Sequence, residues 1–377
     1  MIILHIPSWF PHPQKPLDGN FILRQIATVS EQTTSIVLHH IDQSYREICE
    51  KQTDRHIIFR PVLAHEGTSK IQMFRAYSYE VKKIIKKYGK PDIIHLHVAL
   101  PLGPLAVFLS KRYGIPLVIS EHWSVYQTQN RGQLSWKQKW LLHQIYRQAK
   151  HLTTVSDNLH DAITATVSSA RKVPYTQISN AVDTTAFHAE KTTVQSRAVK
   201  RILHISTLDN QAKNILGILR TVKALHQKRS DFELNIIHDL RNESVEQYIQ
   251  ENGLQEIIHL MGRKSEVEVA QAIRDCDFML QFSNYENQPC VLLESFCCGK
   301  PVIATAVGGI PEIANKHNAR LIGPRDEKML LNETDYMLDH FQEYDPALIS
   351  QDGMQRYSVK VIGDRFMNLY GQILHRR

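Results

Sequence analysis

Short apolar runs alternate with amphipathic stretches along almost the whole chain. In the first half the runs are IILHI (2–6), SIVLHH (35–40), DIIHLH (92–97), PLVIS (116–120) and HLTTV (151–155). Between them, residues 20–31, 70–88, 103–113 and 136–149 repeat apolar positions at helical spacing. Runs that lack strict alternation and are separated by helices read as parallel strands covered on both faces. That βαβ order predicts an α/β fold with an open, doubly wound sheet.

The pattern lapses near 188 in AEKTTVQSRAVK, a polar stretch that reads as a linker. It restarts with RILHIS (201–206), FELNIIH (232–238), EIIHL (256–260), DFMLQFS (277–283) and KPVIAT (300–305). The expected architecture is therefore two Rossmann-like domains, each a doubly wound parallel sheet, facing a central cleft. Ligands of such sheets bind outside the strand carboxyl ends, so candidate chemistry is sought directly after strands.

Composition narrows the picture. A chain of 377 residues suits about two domains, and 42% hydrophobic with 22% charged residues suits a soluble protein. The cysteines (Cys49, Cys276, Cys290, Cys297, Cys298) are odd in number and show no CxxC spacing. Neither a disulfide framework nor a zinc site is expected, and a reducing, cytoplasmic compartment is. Pro7 cuts the first apolar run after six residues, which fits neither a signal peptide nor a membrane span. The net charge of +7 suits an anionic partner, but no basic-aromatic module or finger spacing points to nucleic acid. In VKKIIKKYGK (81–90), Val81, Ile84, Ile85 and Tyr88 sit at helical spacing among lysines. In LSWKQKWLLHQIYRQAK (134–150), Trp136, Trp140 and Tyr146 alternate with bases. Each stretch reads either as a solvated helix face or as peripheral contact with the anionic inner face of a membrane.

The densest chemistry lies in DFMLQFSNYENQPCVLLESFCCGKPVIAT. Residues 277–283 read as a strand, NYEN as a polar loop and 289–298 as a helix, with Pro289 in its first turn and Gly299 just past its end. Glu286 falls in the loop at a strand carboxyl end; Glu294 falls inside an apolar helix, where a carboxylate needs partners. A carboxylate can accept from both ribose hydroxyls, and a helix start offers amides to a diphosphate. The plainer alternative makes Glu286 a surface acid and Glu294 a cap on neighbouring backbone. Asp275-Cys276-Asp277 imitates a DxD metal motif but precedes its strand, away from the cleft, and reads as helix-end and turn carboxylates. No His/Cys ligand spacing exists, so neither metal nor cofactor is expected. His122 follows one strand directly and His97 ends another.

The E-x7-E pair with its trailing GKPVIATAVGGIPEI resembles the retaining glycosyltransferases of family four, which have the GT-B fold. SWFPHPQKPLDGNFILRQIA, with Gly19, Phe21 and Gln25, is similar to that family's opening loop. HLHVALPLG, ISEHWSVY, TTVSDNL and ISNAVDTTAF follow in the family's order, with Ala181 where glycine is usual. YSVKVIGDRFMNLYGQIL resembles the final helix that crosses back to the first domain. The implied division is 1–188 as acceptor-side domain, 198–353 as nucleotide-sugar domain and 354–377 as the returning helix.

The resemblance implies that Glu286 approaches the donor sugar and Glu294 binds the ribose. It nominates backbone amides of Asn287, Gln288, Cys290 and Val291 for the sugar and phosphate. The usual EGFG is ENQP here; Pro289 has no N–H, so the side-chain amides of Asn287 and Gln288 are the expected substitutes. Lys213 matches one phosphate-site cation, while Thr207 stands at the arginine position, with Arg263 or Arg24 as the expected compensation. Gly19 implies close backbone approach to the phosphates, and His122 matches the acceptor-side histidine. The implied activity is metal-independent, retaining transfer from a nucleotide-sugar to a hydroxyl of a saccharide or lipid-linked acceptor, in cell-surface polysaccharide or glycolipid assembly. A nucleotide-sugar epimerase or hydrolase, or a catalytically weak sugar-nucleotide-binding protein, are the alternatives.

Overall fold

The structure is a computed structural model describing residues 1–12, 15, 18–42, 57–64, 69–128, 130–190 and 198–375. It divides into two compact units, Met1–Ala181 with Val359–Arg377, and Val182–Ser358.

The first unit is a parallel sheet of β1 (Ile2–Pro7), β2 (Thr34–Asp42), β3 (Ile57–Ala64), β4 (Ile93–His97), β5 (Leu117–Glu121), β6 (His151–Thr154) and β7 (Tyr175–Gln177). Their order is β3-β2-β1-β4-β5-β6-β7. Successive side chains of a strand point to opposite faces, and both faces here are covered. Leu4, Ile94 and Ile119 pack with Tyr77, Val81 and Ile84 of helix Lys70–Tyr88 and with Leu142 and Ile145 of helix Trp136–Tyr146. The alternate residues Ile3, Ile93 and Val118 pack with Ile362, Phe366 and Tyr370 of the last helix, Val359–His375. Two apolar faces explain why these strands carry no period of two.

The second unit repeats the design with β8 (Lys200–Ser206), β9 (Phe232–His238), β10 (Ile258–Gly262), β11 (Phe278–Gln281), β12 (Val302–Thr305) and β13 (Ala319–Ile322), in the order β10-β9-β8-β11-β12-β13. The winding direction reverses between β1 and β4 in one sheet and between β8 and β11 in the other. These reversals are the crevices where doubly wound sheets bind ligands.

Three strands escape the sequence pattern: β3, β7 and β13. All are sheet edges. Pro61 and Arg60 interrupt β3, which an edge tolerates; β7 is the three-residue YTQ, and β13 has four residues. The unit boundary also lies before the polar stretch, of which 191–197 are outside the described residues. Val182 and Phe187 are buried in the second unit's core, and the Val182 amide donates to Tyr357 O at 2.8 Å. Residues 182–188 therefore belong with the second unit. The helix Pro346–Tyr357 stays there too, so the return to the first unit begins at Val359.

Candidate active site

In the second unit, the segments after β8 and β11 meet at the winding reversal. After β8, the Asp209 carboxylate accepts from the Gln211 amide at 2.9 Å and starts the short helix Asn210–Lys213. After β11, Ser283 and Glu286 turn back toward it. Lys213 Nζ donates to Glu286 Oε1 at 2.5 Å, and Ser283 Oγ donates to the same oxygen at 2.7 Å. Asn284 ties the two segments: its amide N–H donates to Ala212 O at 2.7 Å and its Nδ2 to Gln211 O at 2.9 Å. A third segment, after β12, closes on Glu286 from behind. Gly308 has φ +56°, and a Cβ there would overlap the Glu286 carbonyl. The Gly309 amide donates to Asn287 O at 2.8 Å.

The chain then enters helix Cys290–Cys297, with Pro289 as the flanking N-cap rather than in the first turn. Glu294 and Gln288 are buried, and Gly299 with φ +75° ends the helix as expected. Asn287, Gln288, Cys290 and Val291 thus lie on the same loop and helix start as Glu286, and Glu294 one turn further on. His204, in β8, backs the site. Its Nδ1 donates to Leu280 O at 2.8 Å and its Nε2 accepts from Ser206 Oγ at 2.8 Å; Ser206 Oγ in turn accepts from the Leu208 amide at 3.2 Å. Burial lowers the His204 pKa to about 4, so the ring is neutral and both its bonds persist at neutral pH.

In the first unit, Glu121 ends β5 and organises the turn that presents His122. Its carboxylate accepts from the amides of Ala99 (3.0 Å), His122 and Trp123 (both 3.1 Å), and from the hydroxyls of Tyr126 (3.3 Å) and Tyr146 (3.1 Å). Burial raises its pKa, and the three amides oppose that rise. His122 stacks obliquely on Phe21, ring centroids 4.8 Å apart, and burial lowers its pKa to about 3. His5, His95 and His97 cluster across β1 and β4, close enough for their ring nitrogens to share one ion. Sequence spacing hid this group, because its members meet only through strand pairing. Both His95 nitrogens are taken, by Tyr370 OH and Ser120 Oγ at 2.7 Å each, and His5 Nδ1 lies 3.1 Å from His97 Nε2.

The other candidate residues lie as follows. Thr207 is exposed directly after β8 and brings no charge. Arg263 follows the edge strand β10, two strands from β8, and is exposed without a contact to Lys213 or Glu286. Arg24 and Gly19 belong to the first unit. Gly19 has φ +68°, and a Cβ there would lie 2.6 Å from Trp9 O, so packing against Trp9 already demands glycine. Asp277 Oδ2 accepts from the Arg201 amide at 2.7 Å, fixing the start of β11 against β8. Ser283, Asn284, Gly308 and Glu121 carried no sequence signal of their own, because their roles depend on partners far along the chain.

Two family models match, "Glycosyltransferase Family 4" over residues 34–186 and "Glycosyl transferases group 1" over residues 199–340. The chain belongs to the family four, group 1 glycosyltransferases. Among curated relatives, the MMP alpha-(1->4)-mannosyltransferase of Mycolicibacterium hassiacum is 26% identical over 71% of this chain and 67% of its own. A Bacillus subtilis protein with the provisional name teichuronic acid biosynthesis glycosyltransferase TuaC is 24% identical over 92% of each chain. Among solved structures, sucrose-phosphate synthase from Thermosynechococcus elongatus superposes with a TM-score of 0.78 at 18% identity, covering 100% of both chains. Anabaena HepE in complex with UDP does so with a TM-score of 0.78 at 17% identity, covering 99% of this chain and 100% of that one. This glycosyltransferase has the GT-B fold.

Proposed function

We propose that this glycosyltransferase moves a sugar from a nucleotide-sugar donor to a hydroxyl of a saccharide or lipid-linked acceptor, with retention of configuration and without a metal. The reading places it in cell-surface polysaccharide or glycolipid assembly, in keeping with the teichuronic acid name of its Bacillus relative. The observation that carries it is the Lys213–Glu286 pair at the winding reversal of the second sheet, followed at once by the helix holding Glu294. HepE has been solved with UDP and with UDP and glucose, which supports a nucleotide-sugar as the donor class.

On this reading Lys213 exchanges its bond to Glu286 for the donor diphosphate and neutralises charge as the leaving phosphate departs. Glu286 is left beside the sugar, and Glu294 accepts from the ribose hydroxyls. His122 is neutral at pH 7 and orients the acceptor hydroxyl by hydrogen bonding rather than by carrying a proton. Retention follows from acceptor attack on the face the phosphate leaves. Lysine and helix-start amides supply the electrostatic stabilisation that a metal provides elsewhere.

The proposed contact with anionic membrane rests on helix Trp136–Tyr146. Trp136 and Trp140 are 74% and 60% exposed, beside exposed Lys137 and Lys139, an arrangement suited to an interfacial surface. Helix Lys70–Tyr88 spends Val81 and Ile84 in the core and exposes Ile71 and Tyr79 among its lysines. Among the described residues no helix is long and apolar enough to cross a membrane. Flotation with anionic vesicles should recover the protein at low salt and lose it at high salt; absence of flotation at low salt refutes the contact.

The functional test screens UDP-, GDP- and ADP-sugars for thermal stabilisation, since a ligand of the native state raises its melting temperature. The stabilising donor should then release nucleoside diphosphate only with acceptor present. Acceptor-independent turnover would instead indicate a hydrolase or epimerase. Binding without turnover across an acceptor panel would indicate a sugar-nucleotide-binding protein.

A further inference from the structure

Thr207 leaves the donor site with one cation, Lys213, where a diphosphate carries at least two negative charges. The second unit has basic side chains, but most are committed. Arg201, Arg220, Arg229, Arg241, Arg274, Arg320 and Arg356 each pair with a carboxylate. Among the described arginines of this unit, Arg263 and Arg325 do not. Arg263 sits at the outer edge beyond β10. Arg325 is different, because its Nε donates to Asn284 Oδ1 at 3.3 Å. Asn284 is the residue that clasps Gln211 and Ala212, next to Lys213, and it stands two positions before Glu286.

The backbone at Arg325 adds a second, independent observation. It has φ +61°, in the left-handed region that non-glycine residues seldom occupy. The turn after β13 is GPRD, and it leads into helix Glu327–His340, which Asp326 caps through the Met329 amide at 2.9 Å. Glycine would satisfy that φ without strain, yet the position holds arginine. Strain of this kind persists where something else requires the side chain. The neighbouring carboxylates do not require it: Asp326 is engaged by the Met329 amide, and Glu327 is held by Arg220 at 2.5 Å.

We propose that Arg325 is the second cation of the donor diphosphate site, reaching the β11 loop across the end of β12 and taking the place left by Thr207. This rests on the donor reading above. The guanidinium would keep Nε on Asn284 and offer its terminal N–H groups to a phosphate, a geometry suited to paired contacts. The same bond couples the cation to the loop that positions Glu286, so diphosphate binding and sugar positioning share one anchor.

The test compares wild type, Arg325→Gly and Arg325→Lys by calorimetry against UDP, GDP and ADP, with melting temperatures measured on the same samples. For whichever diphosphate the wild type binds, Arg325→Gly should weaken affinity about tenfold, the usual order for a lost charge-assisted contact. Its melting temperature without ligand should stay level or rise, because the strain is relieved. Arg325→Lys should recover most of the affinity. Wild-type affinity in Arg325→Gly overturns the role of Arg325 while leaving the donor site standing. A wild type that binds none of the three overturns the donor reading and this proposal together.

Discussion

Lys213 and Glu286 reach each other from segments 73 positions apart, and Ser283 donates to the same carboxylate oxygen. The pair is mostly buried, with side chains 20% and 9% exposed. Removing one partner of such a pair costs more than the pair itself contributes, because a buried charge loses its counter-charge. Lys213→Met should therefore destabilise the protein by about 1–3 kcal/mol in denaturant unfolding and weaken nucleoside diphosphate binding; full stability would mean that Glu286 finds another cation. Glu286 and Glu294 stand out in the sequence as an acid in a polar loop after an apolar run and an acid within an apolar helix, whereas Lys213 is nominated only by the family resemblance. Asn284, Arg325 and Gly308 do not stand out, since their meaning lies in contacts between strand ends that no local pattern encodes.

The loops after β8, β11, β12 and β13 act as one element, and Gly308 is its tightest point. Alanine there must adopt φ +56° and displace the Glu286 carbonyl. Gly308→Ala should cost on the order of 2–4 kcal/mol, since strain and overpacking add, and should lower turnover by moving Glu286. A variant with wild-type stability and rate would show the loop to be free to shift. The last helix is held by a different logic. Phe366 is buried among Ile3, Ile93 and Val118 on one face of the first sheet, so Phe366→Ala should cost about 3–5 kcal/mol, measured as a lower denaturant midpoint. The central strands were readable because two covered faces enforce continuous apolar runs. The edge strands β3, β7 and β13 were not, because a strand with a single neighbour can be short or interrupted by proline.

Across the molecule, buried histidines set the response to acid. Burial lowers the pKa of His5 and His122 to about 3 and of His204 to about 4, and holds His95 and His97 well below the ordinary 6.5. A folded pKa depressed below the unfolded one stabilises the native state above pH 6.5, and that stability is lost as pH falls toward the folded value. At pH 5 each such ring forfeits about 2 kcal/mol before relaxation. Denaturant midpoints should fall steeply between pH 7 and pH 5; a flat profile would mean that these rings ionise in place. The duplicated doubly wound design was visible in the sequence, while the exact division at 181/182 was not, because Val182 and Phe187 join the second core through contacts with Tyr357 and its neighbours. On the proposed reading the donor is held by Lys213, at the end of the short helix after β8, and by Glu294, in the helix that follows the β11 loop. Calorimetry of wild type and Glu294→Ala with UDP-, GDP- and ADP-sugars tests it most directly. One donor class should bind the wild type and lose at least about tenfold in affinity on the substitution, the order expected when a carboxylate–hydroxyl contact is removed; equal affinity in the two proteins would contradict the assignment.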